Sequence, residues 1–259
     1  MTPVFDSLSG ILICHKNIAN YYLQQKGISL HTYLCESVLA LDVDLNILSF
    51  ITIKHPTGVK FTKLLDRYLI ILPEESNELH SLLLNSFFSF IANDYDIIIE
   101  KERNIDNIKF LIKKLFTYID FSINPIIVDF GCGTGLSSSI KVENPMRLVG
   151  VDSCPVMRHI SSKKGLSSVS PDILREKFLN CIDGAFASYV LHLLPNKLHI
   201  EQLWDSLKIG GILVANHHKG IGVDYTHDLI YNLGGSVCEI HPPNLTNIHG
   251  KYFSYKKEV

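Results

Sequence analysis

The residues best suited to chemistry lie between Asp129 and Gly135, where the chain reads Asp-Phe-Gly-Cys-Gly-Thr-Gly. Three glycines at alternate positions follow an apolar run and precede a serine-rich segment. Glycine is needed where the backbone must turn sharply and approach a ligand without a Cβ atom in the way. A helix predicted to begin after the glycines would offer unpaired N–H groups and a positive dipole end to a ligand carboxylate.

The spacing of the glycines distinguishes between classes of nucleotide site. A dinucleotide fingerprint counted from Gly131 would need a glycine or alanine where Leu136 stands. A phosphate-binding loop would end in Gly-Lys-Ser or Gly-Lys-Thr, which this segment lacks. The loop therefore argues against an NAD-dependent oxidoreductase and against a phosphate-loop enzyme.

A second acid supports the glycine loop. Asp152 ends the apolar run Leu148–Val151, roughly 20 residues after Gly131. If the two apolar runs are adjacent parallel strands, Asp152 reaches the sheet edge beside the glycines, where its carboxylate can accept hydrogen bonds from both ribose hydroxyls. The alternative is that Asp152 only caps a helix beginning near Cys154.

The glycine loop and Asp152 closely resemble the first two motifs of the class I methyltransferases that use S-adenosylmethionine (SAM). Two later segments, Cys181–Leu194 and Leu207–Ala215, are similar to the family's fourth and fifth strands. The resemblance covers about residues 105–259. It implies an α/β fold with a doubly wound, seven-stranded, mostly parallel sheet that binds SAM and releases S-adenosylhomocysteine.

The resemblance also assigns roles to individual positions. Asp129 would engage the ammonium group of SAM, the glycines would let the backbone pack on the cofactor, and Asp152 would hold the ribose. Asp172 is the candidate acid beside the adenine, following a reduced strand near residues 166–169. The implied cofactor contacts are Asp129, Gly131, Cys132, Gly133, Gly135, Asp152, Ser153, Asp172 and Ser188.

Whether a general base is needed depends on the methyl acceptor. A carboxylate is already nucleophilic near neutral pH, whereas a hydroxyl or a protonated amine must lose a proton. His192 lies just beyond the predicted fourth strand, and His217-His218 lies just beyond the fifth. Open α/β sheets bind ligands at these strand ends, so His192 and His217 are the candidate catalytic bases. The alternative is that these histidines are solvated residues beside helices and loops.

Residues 1–103 and residues 104–259 differ in pattern. The first segment is predicted to be an N-terminal α+β extension, which recognises the substrate or covers the cofactor, and the second is the SAM-binding domain. Within the extension we expect a hairpin around Asp44 and a helix over residues 74–91. Residues 105–119 form an apolar stripe at helical spacing, and this helix is expected to pack against the sheet.

Composition limits the class of protein. The chain has 259 residues, of which 46% are hydrophobic, and 24 basic against 26 acidic side chains give a formal charge of −2. It lacks the basic excess of proteins that grip a phosphate backbone. The six cysteines are scattered without metal-ligand spacing, which predicts reduced thiols and no metal site. Neither a signal peptide nor a membrane-spanning run is recognisable, so a cytoplasmic protein is predicted.

The sequence therefore predicts a tailoring methyltransferase that acts on an oxygen or nitrogen atom of a small molecule or peptide, without nucleic acid or membrane as a partner. An alternative is an inactive SAM-binding protein that activates a partner, although the intact glycines and both acids favour an enzyme. RNA modification is disfavoured by the charge balance. It is also disfavoured because Ser188-Tyr-Val-Leu stands where an Asn/Asp-Pro-Pro-Tyr/Phe motif would be expected.

Overall fold

A computed structural model describes residues 9–44, 59–64, 68–73, 76–99, 101–120, 124–143, 145–242 and 250–259. The chain divides into two compact units, Met1–Ile98 (unit 1) and Ile99–Val259 (unit 2). Within the described ranges, none of the helices combines the length and the apolar character needed to cross a bilayer. The role predicted for the N-terminal segment stays a prediction.

Unit 1 is a five-stranded mixed sheet with three helices among its described residues. Its strands are β1 (Ser9–His15), β2 (Ile28–Tyr33), β3 (Val38–Asp44), β4 (Val59–Leu64) and β5 (Tyr68–Pro73). Its helices are α1 (Lys16–Leu23), α2 (Asn77–Ile91) and the single turn α3 (Tyr95–Ile98). The strand order is β2-β3-β1-β5-β4, with β1 antiparallel to β3 and parallel to β5.

The central strand β1 carries a core on both of its faces. Its side chains from Ile11 to Cys14 are fully buried, as expected for a strand covered on both sides. One face packs with Tyr22 of α1. On the neighbouring strand, Tyr68 meets Phe87 of α2 edge-on, with ring centroids 5.1 Å apart. Sequence reasoning did not identify β1, because a short apolar run fits a strand and a buried helix equally well.

Two predictions for unit 1 have different outcomes. The helix predicted over residues 74–91 is α2, which begins at Asn77 after the N-cap Ser76. For the hairpin predicted around Asp44, the structure describes the chain only up to that residue, and the predicted turn and second strand lie outside the described residues. The strand that ends at Asp44 pairs antiparallel with β2, which was not predicted.

Unit 2 contains a seven-stranded sheet flanked by helices. Its strands are β6 (Ile126–Phe130), β7 (Arg147–Val151), β8 (Ser168–Val169), β9 (Ile182–Ala187), β10 (Leu207–His217), β11 (Gly235–Ile240) and β12 (Lys251–Lys257). Its helices are α4 (Lys101–Leu115), α5 (Pro155–Lys163), α6 (Pro171–Phe178), α7 (Lys197–Ser206) and α8 (Val223–Asn232). The order is β11-β12-β10-β9-β6-β7-β8, in which β12 pairs antiparallel with β11 and β10 and the other pairs are parallel. The predicted fold class is confirmed.

The parallel strands are buried on both faces, which explains their uninterrupted apolar sequences. On one face, Val128 of β6 shares a core with Trp204 of α7. On the other face, Ile127 packs with Leu111 and Leu115 of α4. The apolar stripe predicted over residues 105–119 therefore packs against the sheet, as expected.

The topology brings the ends of four strands to one edge of the sheet. Strands β7, β6, β9 and β10 are neighbours in that order and run parallel, so the residues that follow them meet at the same edge. We call this the carboxyl edge. Neighbouring strands are about 4.8 Å apart, so the edge from β7 to β10 spans roughly 14 Å.

Candidate active site

The glycine loop after β6 is a backbone bend tied to the neighbouring strand. Gly131, Gly133 and Gly135 all have left-handed backbone, with φ values of 74°, 50° and 78°. The N–H groups of Gly131 and Cys132 both donate to the carbonyl oxygen of Val151, at 2.7 and 3.0 Å. Residues other than glycine are strained in this conformation, which explains why the bend needs glycines at alternate positions.

The segment after the bend differs from its prediction. Instead of a helix, residues Leu136–Ser139 form a single 3₁₀ turn. The hydroxyls of Ser138 and Ser139 donate to the carbonyl oxygens of Gly135 and Leu136, each at 2.8 Å. Such side-chain bonds compete with helix formation. The prediction that the dipole of a helix starting after the glycines contributes to cofactor binding is therefore wrong.

Asp152 directly follows β7, and two backbone N–H groups fix the orientation of its carboxylate. One oxygen accepts the N–H of Gly133 at 2.9 Å, and the other accepts the N–H of Cys154 at 2.8 Å. Arg158 of α5 donates from Nη1 to the carbonyl oxygens of Asp152 and Ser153, at 2.6 and 3.0 Å. The sequence analysis missed Arg158, because spacing alone does not reveal a helix side chain that folds back on a strand end.

Both acids of the candidate cofactor site are perturbed by burial. Asp129 is only 3% exposed, and burial raises its pKa to about 7, against the opposing effect of the Ser137 hydroxyl. That hydroxyl donates to the Asp129 carboxylate at 2.5 Å. Burial also raises the pKa of Asp152, while the N–H groups of Cys154 and Gly133 favour the ionised form. Asp129 therefore changes charge near neutral pH.

We expect SAM affinity to rise with pH because of Asp129. Its pKa lies above the ordinary aspartate value, so the proton leaves only near pH 7. An ammonium group favours the ionised form, so Kd should fall about tenfold between about pH 6 and about pH 8. Calorimetry across this pH range measures the effect. Asp129→Asn should bind SAM weakly, with a Kd that no longer changes with pH. An unchanged slope in Asp129→Asn would assign the titration to another group.

None of the contacts described for Asp172 involves the glycine bend. It occupies the first turn of α6, and its carboxylate accepts a hydrogen bond from Nε2 of Gln202 at 2.6 Å. Together with Arg175 and Leu179 it lines a shallow groove beside α7. The strand before it is reduced to the two residues of β8, as the sequence suggested. A role for Asp172 beside the adenine stays a prediction that these contacts do not support.

His217 is buried and is not solvated, contrary to the alternative reading of the sequence. Its ring lies 3.0 Å from the carbonyl oxygen of Ile221 through Nδ1, and 2.9 Å from the Tyr255 hydroxyl through Nε2. Burial lowers its pKa to about 4. Because both ring nitrogens are engaged inside the core, His217 is a poor candidate for the predicted base. The adjacent His218 is half-buried and faces the carboxyl edge.

Three rings form a cluster at the ends of β9 and β10. Tyr189, His192 and His218 contact one another edge-on, with centroid distances of 6.4, 6.0 and 5.5 Å. Burial lowers the pKa of His192 to about 3, with help from neighbouring histidines, so its imidazole stays neutral. Its Nδ1 is buried and has no hydrogen-bond partner among the described residues. This ring cluster is the candidate acceptor side of the site.

Ser188 lies between the ring cluster and the core. It directly follows β9, and its Oγ accepts a hydrogen bond from Nδ2 of Asn107 at 2.7 Å. Asn107 belongs to the buried face of α4 and was not predicted. Among the described residues, no group of three or more histidine, cysteine, aspartate or glutamate side chains is arranged to hold a metal ion.

Comparison with known families identifies the domain. Residues 128–215 match the family model described as a methyltransferase domain. The matched residues lie in a sheet with the fold of the class I SAM-dependent methyltransferases. The matched segment of this methyltransferase domain begins within β6 and ends within β10, so it includes the glycine bend, Asp152 and His192.

Solved structures of methyltransferases resemble this chain. The 1,6-didemethyltoxoflavin N1-methyltransferase of Burkholderia thailandensis, solved with that compound and S-adenosylhomocysteine, is 14% identical over 80% of this chain and 98% of that chain, with a TM-score of 0.55. A SAM-dependent methyltransferase of Thermotoga maritima is 15% identical over 66% and 98% of the two chains, with a TM-score of 0.45. The CurJ carbon methyltransferase is 14% identical over 72% and 62%, with a TM-score of 0.49. No curated protein sequence matches the chain.

The residues at the carboxyl edge fit SAM, the cofactor of this family. The three left-handed glycines have no side chains that could block a ligand, and two backbone N–H groups orient the Asp152 carboxylate. A carboxylate held in this way can accept the two ribose hydroxyls. Asp129, once ionised, provides the negative charge that a ligand ammonium group requires.

Proposed function

We propose that the methyltransferase domain transfers a methyl group from SAM to an oxygen or nitrogen atom of a small molecule or peptide. The observation that carries this proposal is the arrangement along the carboxyl edge. Asp152 follows β7, the glycine bend follows β6, and the ring cluster follows β9 and β10. A cofactor held over β7 and β6 would point its reactive end toward the rings, where the acceptor would bind.

In this proposal each group of residues has a separate task. SAM supplies an electrophilic methyl group, and S-adenosylhomocysteine leaves with the electron pair of the broken sulfur–carbon bond. Asp129 holds the ammonium group of the cofactor and Asp152 holds its ribose, and the ring cluster orients the acceptor within attacking distance and limits water. For a hydroxyl acceptor, His192 is the candidate base that takes the proton as the new bond to carbon forms.

Two measurements test the proposed function. Calorimetry with SAM and with NAD should give binding to SAM alone. Purified protein and tritium-labelled SAM should then transfer label into the small-molecule or peptide fraction of a cell extract. SAM binding without any transfer would favour the inactive, partner-activating alternative, and failure to bind SAM would refute the proposal altogether.

His192→Ala is expected to lower kcat by at least about tenfold at saturating SAM, because a positioned base is lost. SAM affinity should stay nearly unchanged, since the ring lies on the acceptor side. The matched control is His159→Ala, which removes an exposed histidine from α5 and should alter neither quantity.

The pH profile provides an independent check on His192. With its pKa lowered to about 3, the imidazole remains a proton acceptor as the pH falls. The His192-dependent part of kcat should therefore show no loss between about pH 8 and about pH 5. An unaffected kcat in His192→Ala would remove this residue from the mechanism.

A further inference from the structure

A buried polar network lies directly beneath the ring cluster. The Tyr252 hydroxyl of β12 donates to Oδ1 of Asn107 at 2.6 Å. Nδ2 of Asn107 in turn donates to Ser188 at 2.7 Å and to Oδ1 of Asn216 at 3.2 Å. Asn107, Asn216 and Tyr252 are all fully buried. Hydrogen bonds away from water are electrostatically strong, so this network can hold a defined backbone geometry.

The network ends on a strained residue of the ring cluster. The N–H of Tyr189 donates to Oδ1 of Asn216 at 2.8 Å. Tyr189 has a φ of 57°, in the left-handed region that residues other than glycine seldom adopt. Strained backbone of this kind persists only where the surroundings impose it, and it concentrates at functional sites. The hydrogen bond from the Tyr189 N–H to Asn216 is one such contact on this strained residue.

We propose that Asn216 is a positioning residue that holds Tyr189 in its left-handed conformation and thereby sets the ring cluster on the acceptor side. This proposal rests on the proposed function for its catalytic consequence. Asn216 is the penultimate residue of β10, a rigid element, whereas Tyr189 lies in the turn after β9. The tyrosine ring contacts His192 and His218 from the backbone conformation in which this hydrogen bond forms.

The orientation of the Asn216 amide is determined by its partners. Oδ1 accepts two hydrogen bonds, one of them from a backbone N–H that cannot act as an acceptor. Nδ2 is buried and has no partner among the described residues. Asn216→Asp keeps the oxygen that the proposal requires and replaces Nδ2, which makes no described contact, with a second oxygen that this buried site favours in the protonated, uncharged form. It is the matched partner of Asn216→Ala, which removes both.

Methyl transfer and cofactor affinity provide the first test. Label is transferred from tritiated SAM into the small-molecule or peptide fraction that the wild-type protein labels. Asn216→Ala should lower the rate by about tenfold to a hundredfold, as expected when a reacting group is misplaced, with the Kd for SAM within about twofold of wild type. Asn216→Asp should recover most of the rate. Equal losses in both variants, or a comparable loss of SAM affinity in Asn216→Ala, would overturn the proposal.

A thermal double-mutant cycle provides a second test that needs neither SAM nor an acceptor. Asn216→Ala should lower Tm less in the wild-type background than in a Tyr189→Gly background, because release of Tyr189 relieves left-handed strain that glycine does not carry. Equal decreases would show that Asn216 does not hold Tyr189. If the wild-type protein fails to bind SAM, the proposed function is refuted. The Tm cycle still tests whether Asn216 holds the backbone of Tyr189.

Discussion

Asp152→Ala is expected to weaken SAM binding by about 4 kcal/mol, or roughly a thousandfold in Kd, because two hydrogen bonds from ribose hydroxyls to a carboxylate are lost. The substitution also leaves the N–H groups of Gly133 and Cys154 without their present acceptor. The bend and the ribose contact are therefore disturbed together. Calorimetry with SAM measures the change directly.

Asp183→Ala is the matched control for this substitution. The Asp183 carboxylate also accepts a backbone N–H, from Ile126 at 2.8 Å, and it forms an ion pair with Lys208 at 2.5 Å. It lies where β6 and β9 begin, at the edge of the sheet opposite Asp152. We expect Asp183→Ala to lower Tm and leave SAM affinity within about twofold of wild type. If both alanine variants weakened binding equally, Asp152 would have no specific role.

Gly131→Ala is expected to weaken SAM binding more than about a hundredfold, because the bend cannot keep its shape. The new methyl group would lie 2.2 Å from Cγ2 of Val190, and φ at this position is 74°. Strain at the left-handed position and the steric overlap both act against the native bend. A lower Tm should accompany the loss of affinity.

Two variants separate these causes. Gly165→Ala introduces a side chain at a φ of 89° with no atom within 4 Å, so it measures the backbone strain alone at a remote turn. It should lower Tm modestly and leave SAM binding intact. Adding Val190→Ala to Gly131→Ala removes both overlapping methyl groups and should recover part of the affinity. No recovery would assign the defect to the backbone conformation.

The most predictable features were those encoded within a few residues. The glycine bend could be predicted because a left-handed backbone requires glycine at Gly131, Gly133 and Gly135, whatever the rest of the chain does. The mostly parallel character of the sheet was also predictable, since alternating apolar runs and helical stretches leave few topologies. The helix after the bend was predicted wrongly, because serine hydroxyls bond to nearby carbonyl oxygens and end it after one turn.

Contacts between distant residues could not be predicted. Asn107 and Asn216 are 109 positions apart, yet their side chains share one buried network. Sequence spacing also could not show which of the adjacent histidines His217 and His218 is buried. Consecutive residues at the end of β10 point to opposite faces of the sheet. His217 faces Tyr255 in the core, whereas His218 joins the ring cluster.

The sequence by itself determined the fold class, the bend after β6 and the acid after β7, because each depends on local backbone requirements and on the apolar period. Only the tertiary structure decided which polar side chains meet at the carboxyl edge. Burial and partners, rather than residue type, engage both nitrogens of His217, keep His192 neutral and raise the pKa of Asp129. These properties follow from packing across strands and helices, which one-dimensional spacing does not encode.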